Sequence, residues 1–152
     1  MKRKIAITLA LVALASIGFG VYKQVNTKKQ VQETVKGYNS TLVQAMRRPQ
    51  PELMKRWTTP KELERVTMYI LFLYSKNKII DAKLKSLKFS KVTVSGKTAK
   101  VFTDEVWEDR YLDAKTGQEV GNRENYHYQG TYSLEKTESG NWVVSELNVK
   151  EL

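Results

Sequence analysis

Residues 126–134 read Tyr126-His127-Tyr128-Gln129-Gly130-Thr131-Tyr132-Ser133-Leu134, and their alternation decides the architecture. Tyr126, Tyr128, Gly130, Tyr132 and Leu134 take one side, with His127, Gln129, Thr131 and Ser133 on the other. That is the period of a strand with one buried face. Ser139-Gly140-Asn141 then turns the chain into Trp142, Val144, Leu147 and Val149, where the step from two to three predicts a bulge. Upstream, Ala99, Val101, Thr103, Glu105 and Trp107 alternate in the same way. Leu84, Leu87, Phe89, Val92 and Val94 precede them and lead into a turn at Ser95-Gly96-Lys97, while Asp113 to Gly121 reads as a long hairpin loop. Four such runs joined by hairpin turns predict an antiparallel meander with one buried face.

Ahead of the strands the period becomes helical. Val31, Val35, Tyr38, Leu42 and Met46 are spaced as one face of a helix that Pro49 and Pro51 end, and that can continue directly from the segment before it. A short helical turn with Leu53, Met54 and Trp57 follows, Pro51 at its first position. Thr59-Pro60-Lys61-Glu62 is a helix start: Thr59 caps, Pro60 suits the first turn, and Glu62 is placed to reach back to the cap's N–H. The helix it opens carries Leu63, Val66, Ile70, Leu73 and Ile80 on one side. From Met68 to Tyr74 it is apolar all round, which predicts a central core helix covered on more than one face. Helices followed by a meander define an α+β domain with the helices on one side of a curved sheet.

Ile5 to Tyr22 is eighteen residues without a charge, bracketed by Lys2-Arg3-Lys4 and Lys23. As a helix it measures about 27 Å, close to the roughly 30 Å of a hydrocarbon core. The expected division is a basic cytoplasmic tail at 1–4, a transmembrane anchor at 5–22, a linker at 23–30 and the α+β domain at 31–152. The rival reading is a cleaved signal peptide, since Ala13-Leu14-Ala15 before Ser16 fits a small-x-small site and would release a secreted domain. Both place the domain outside the cytoplasm, and the anchor reading makes the chain a single-pass inner-membrane protein. Ser16 and Gly20 form a small-xxx-small pair compatible with anchor packing and an oligomer.

Composition excludes several classes of function. There is no cysteine and a single histidine, His127, so a disulfide framework, a thiolate metal site and a histidine-based triad are not expected. No phosphate loop or nucleophile elbow is present, and no cofactor is expected. The net charge of +10 divides unevenly. Residues 1–30 carry six cations and no acid, residues 31–95 thirteen cations against five acids, and residues 96–152 seven against eleven. The basic helical half suits anionic lipid or a cell-wall polymer. Nucleic acid is a poor fit, because no basic stripe is interleaved with aromatics.

Tyr128-x-Gly130-x-Tyr132-x-Leu134 followed by Gly140-Asn141-Trp142-x-Val144 resembles the closing strands of the nuclear transport factor 2-like superfamily. Together with Gly96-Lys97-Thr98-Ala99-x-Val101 and Glu105, it is most similar to the intermembrane-space domain of chloroplast and cyanobacterial division proteins. The resemblance spans residues 31–152 and implies a cone, with helices wrapped on a bent sheet and a pocket at the open end. The periplasmic assembly factors of type IV secretion share that architecture. Ketosteroid isomerase and scytalone dehydratase are enzymatic branches, which implies that a base and an oxyanion donor inside the cone must be sought.

The candidate pocket-lining residues are Glu105, Trp107, Tyr126, Tyr128, Tyr132 and Trp142, with Asp109 and His127 as further titratable groups. His127 falls on the polar side of its strand. Asp104, Glu105, Glu108 and Asp109 occupy both sides in pairs and do not read as one catalytic constellation. Glu105 stands out as a carboxylate on an apolar side, which predicts burial against a partner, such as an Arg or Lys of the helices, or a place at the cone's mouth. The expected function is therefore not enzymatic: a membrane-anchored extracytoplasmic module that docks an envelope protein in a division-like or secretion-like complex. The alternative is a binding protein or enzyme for a small apolar molecule held in the cone.

Overall fold

The structure, a computed structural model, describes the backbone of residues 2–152 and the side chains of residues 23–152; the anchor and cleavage expectations, which rest on the side chains of the basic tail, the apolar run 5–22 and the site near Ala15, lie outside the described residues. The chain order is helix α1 (Lys2–Arg47), a 3-10 turn (Pro51–Arg56), helix α2 (Pro60–Ser75), and strands β1 (Lys78–Ser95), β2 (Thr98–Asp113), β3 (Glu119–Lys136) and β4 (Trp142–Glu151). Residues 23–30, read as a linker, are helical and part of α1. Among the described residues no helix is long and apolar enough to cross a membrane.

The four strands form one antiparallel meander in the order β1-β2-β3-β4. They are long for a small sheet, and the register slips between Leu84 and Ser86, Phe89 and Lys91, Asp109 and Tyr111, and Ser133 and Leu134. Each extra residue bends its strand and tightens the local twist, so the sheet curves around the helices. The hairpin loop after β2 is shorter than Asp113–Gly121, because Glu119 to Gly121 already pair with β2 or extend β3. The 57–59 segment adds to the outer edge of β4: Val144 N donates to Trp57 O (2.7 Å) and Thr59 N to Val144 O (2.9 Å).

Val31, Val35, Tyr38, Ala45 and Met46 of α1 pack with Val66 and Ile70 of α2 against Ala99, Val101, Trp107, Tyr132, Leu134 and Val144 of the sheet. Gly37 admits the Trp57 ring so closely that a Cβ there would lie 2.3 Å from it. The polar side of the sheet is stitched by ion pairs, among them Lys85–Glu108 (3.2 Å) and Arg110–Asp81 (2.5 Å).

Three expectations change. Ile80 is not the last residue of a helical stripe but a buried residue of β1. Asn77 at φ 58 takes the left-handed conformation that stops α2, and its N–H closes the helix on Tyr74 O. Glu62 does not reach back to the Thr59 backbone; Thr59 Oγ1 accepts from Glu62 N at 3.4 Å while the carboxylate turns into the core. Lastly, α2 is not covered all round. Val66 and Ile70 face the core, but Met68 is 65% and Phe72 59% exposed, with Leu71, Tyr69 and Tyr74 also open. The helix is an outer layer with nothing packed on its far side among the described residues.

Candidate functional site: a cone with a committed floor and an acidic aromatic mouth

Strand alternation puts Val101, Thr103, Glu105, Trp107 and Asp109 on one face of β2, under α1 and α2. A cavity of about 330 Å³ opens between that face and the helices, lined by residues including Tyr38, Asn39, Arg65, Tyr69, Glu105, Trp107, Asp109, Tyr128, Tyr132 and Leu147. This is at the small end of the range for ligand pockets. The buried members, Glu105 and Tyr132, form its floor; the exposed ones, Tyr69 and Val149, form its mouth.

The floor is a closed hydrogen-bond network. Glu105, 2% exposed, accepts from Tyr132 OH (2.7 Å), Thr103 Oγ1 (2.7 Å) and Trp107 Nε1 (2.8 Å). Asn39 Nδ2 donates to the Tyr132 hydroxyl at 2.9 Å. The expected Arg or Lys partner is absent: three neutral donors hold this carboxylate, two from its own strand and one from β3. Burial, followed by the charge of Glu105, pushes the Tyr132 hydroxyl well above its usual pKa, so it stays protonated and donating. A second knot closes the side wall. Glu62 accepts from Tyr38 OH (2.8 Å) and from Arg65 Nη2 (2.6 Å) and Nε (2.8 Å). Its hydrogen bond to Glu62 holds the Arg65 guanidinium firmly charged, and burial raises the Tyr38 pKa. The Tyr38 and Tyr132 rings meet edge to face at 5.9 Å, joining the two knots.

The mouth is different in kind. Asp109 is half-buried, its Oδ1 has no hydrogen-bond partner, and burial raises its pKa to about 6, with Glu124 adding to the shift. Tyr128 is pushed up to about 12 by burial and then by Glu151, Asp109 and its tyrosine neighbours, and Tyr69 is raised by burial, Tyr111 and Asp109. Tyr126 stacks on Tyr128 at 5.7 Å and donates to Glu124.

Glu105, Trp107, Tyr128 and Tyr132 thus come together around one cavity. Tyr126 reaches it only through its stack on Tyr128. Trp142 does not reach it: it is buried at the other end of the sheet, beside Gly140, Lys136 and the Lys23–Thr34 stretch of α1, with Lys136 5.8 Å over its ring. Strand parity places a side chain on a face but not at a height along it. His127 lies on the outer face, 3.0 Å from Asp104. The sequence marks Tyr38 only as core and Glu62 only as part of a helix cap, and gives no signal for Arg65; the side wall they build depends on the packing of α1 on α2.

The isolation of Asp109 has a measurable consequence. A carboxyl whose pKa rises on folding opposes folding once ionised, so its penalty is absent below about pH 4 and complete above about pH 7. Asp109→Asn is therefore expected to stabilise the domain by roughly 1–2 kcal/mol near neutrality, screened because the group is half-exposed, and by nothing near pH 4. Urea unfolding at the two pH values checks this; an equal effect at both would show that Asp109 is not desolvated.

No family model matches the sequence, and no curated protein matches it. Among solved structures, the chain is similar to the intermembrane space region of the chloroplast protein ARC6, at 18% identity and a TM-score of 0.68, over 82% of this chain and 97% of that one. It is also similar to a candidate dehydratase of the NTF2-like family from Streptomyces avermitilis, at 19% identity and a TM-score of 0.53, over 82% and 97%. A conserved protein of Planctomyces limnophilus matches at 14% identity and 0.55, over 80% and 97%. At these identities the likeness shows the fold, which is nuclear transport factor 2-like, as the strand motifs implied.

Proposed function

We propose that this chain is a membrane-held, extracytoplasmic interaction module whose cone receives a segment of a partner protein of the cell envelope. The observation that carries the reading is the contrast between floor and mouth. The buried donors that a catalyst of this fold would turn on a substrate, Tyr132 and Trp107, donate to Glu105 instead. With them spent, the floor offers no free oxyanion donor. The mouth is open and aromatic, with the Asp109 carboxylate at its rim, and Tyr69 links it to the uncovered apolar side chains Met68, Leu71 and Phe72 of α2. A contiguous exposed apolar surface of this kind marks a protein contact. The uncharged apolar run at 5–22, the likeness to an intermembrane space region and the basic first half support a site at a membrane, with anionic lipid or cell-wall polymer as a subsidiary contact. A small apolar ligand in the 330 Å³ cavity is the second reading, favoured by the likeness to a candidate dehydratase.

A photo-crosslinking amino acid at Tyr69 or Leu147, in the full chain in native membranes, is expected to yield one discrete adduct. The same probe at exposed Lys100, on the sheet's outer face, is expected to yield none. Adducts from Lys100 alone, or a bound small molecule that blocks labelling at both cone positions, would overturn the docking reading.

A further inference from the structure

The cone's mouth has a charge that nothing among the described residues answers. Asp109 projects from β2 with Oδ1 buried and unpartnered. From β3 it faces Glu124 and Tyr128; from β4, Glu151 acts on Tyr128; from α2 comes Tyr69; from β1 the paired residue is the neutral Ala82. The cations nearby are engaged elsewhere. Arg65 is held by Glu62, and Lys78 lies 5.5 Å over the Tyr111 ring. Glu105 lies deeper, with both oxygens already accepting hydrogen bonds. α1 lines the cavity only with the neutral Tyr38, Asn39, Leu42 and Met46.

We infer that the cone recognises a basic side chain, a lysine or arginine carried on an apolar stretch of the partner, whose cationic head sits against Asp109. An ammonium or guanidinium there would relieve both the burial of the carboxylate and its repulsion from Glu124. The faces of Tyr69 and Tyr128 add the attraction of aromatic rings for a cation. Leu42, Met46, Leu147 and Val149 line the same cavity and suit the aliphatic stem of a long basic residue. An anionic group, such as a chain's terminal carboxylate, would instead meet like charge. The inference rests on the docking reading above but concerns only what the cone prefers to hold.

The test uses the full chain labelled with 5-fluorotryptophan. Of the three tryptophans, Trp107 lines this cavity, whereas Trp57 and Trp142 do not. Butylammonium, butyrate and butanol are titrated at constant ionic strength while the ¹⁹F signals are followed. Butylammonium is expected to move the Trp107 signal alone, at a half-saturating concentration at least about tenfold below that of butyrate. Because only ionised Asp109 attracts the cation, its binding should tighten about tenfold from pH 5 to pH 7, for a group titrating near 6. Asp109→Asn should remove the preference, with unchanged Trp57 and Trp142 signals showing that the variant is folded; the pH series decides the matter if it is not. Equal or tighter binding of butyrate, a flat pH profile, or no movement of Trp107 with butylammonium overturns the inference. Crosslinks from Tyr69 alongside any of those results would leave docking standing and remove only the cation.

Discussion

Replacing Glu105 by alanine is expected to destabilise the domain by about 3–5 kcal/mol, the range for removing one member of a buried charged network. The reason lies less in the lost carboxylate than in what it leaves behind. Tyr132 OH, Thr103 Oγ1 and Trp107 Nε1 all point at its two oxygens. Once it is gone, buried donors face a void, each costing on the order of 1–3 kcal/mol if unrelieved. Glu105→Gln separates charge from hydrogen bonding. The amide can keep its oxygen where Tyr132 and Thr103 donate, but its NH2 then opposes the indole N–H, so a loss of about 1–3 kcal/mol is expected. Since a domain of this size has roughly 5–15 kcal/mol in all, the alanine variant stands near the edge of folding. Urea unfolding of the full chain followed by tryptophan fluorescence measures both. A loss below about 1 kcal/mol for alanine would mean that the network does not hold the floor, and the argument that the cone's donors are spent would go with it.

Glu105 could be found from sequence because a carboxylate at an apolar strand position is conspicuous, and parity was right about its face. Thr103 and Trp107 share that face by the same parity, but the third partner depends on which β3 residue reaches it: Tyr128 is the paired residue, yet Tyr132, further along and on the same face, makes the bond. Asp109 has the same parity as Glu105 and was diluted by Asp104 and Glu108, which point the other way and pair with His127 and Lys85. What made it a site, the absence of any counter-charge from three neighbouring elements, is a tertiary fact. The apolar run Met68–Tyr74 shows the limit from the other direction. Composition says that a helix face prefers cover, not that this chain supplies it, and here α2 is left open on Met68, Leu71 and Phe72. Trp142 shows the limit of parity: it is buried on the sheet like the tyrosines, but beside Lys136 and Gly140 rather than at the cone.

Gly130→Ala is the second large effect, with an expected loss of about 2–3 kcal/mol from overpacking a site with no room to yield. Nothing about this glycine's backbone requires it: it is an extended residue inside β3, where alanine would ordinarily be preferred by about 0.5–1 kcal/mol. Space is the constraint. Gly130 pairs across the sheet with Thr103, and a Cβ would lie 2.4 Å from Thr103 Oγ1, 3.1 Å from Glu105 Oε1 and 3.1 Å from the Tyr132 ring. These are the atoms that close the floor of the cone, so the new methyl would have to displace a buried carboxylate or the hydroxyl bonded to it. The glycine in the strand motif thus exists to let Glu105 lie flat against β3. Thr103→Ala removes the nearest obstacle, so the double variant Gly130→Ala/Thr103→Ala should lose less than the two single losses together, by about 1 kcal/mol or more. Strict additivity, or a neutral Gly130→Ala, would show that β3 and Glu105 do not approach this closely. If the coupling is found, the Trp107 signal should also shift in Gly130→Ala, because its indole N–H is tied to the same carboxylate, and the geometry of the floor would then be set by a residue that carries no side chain.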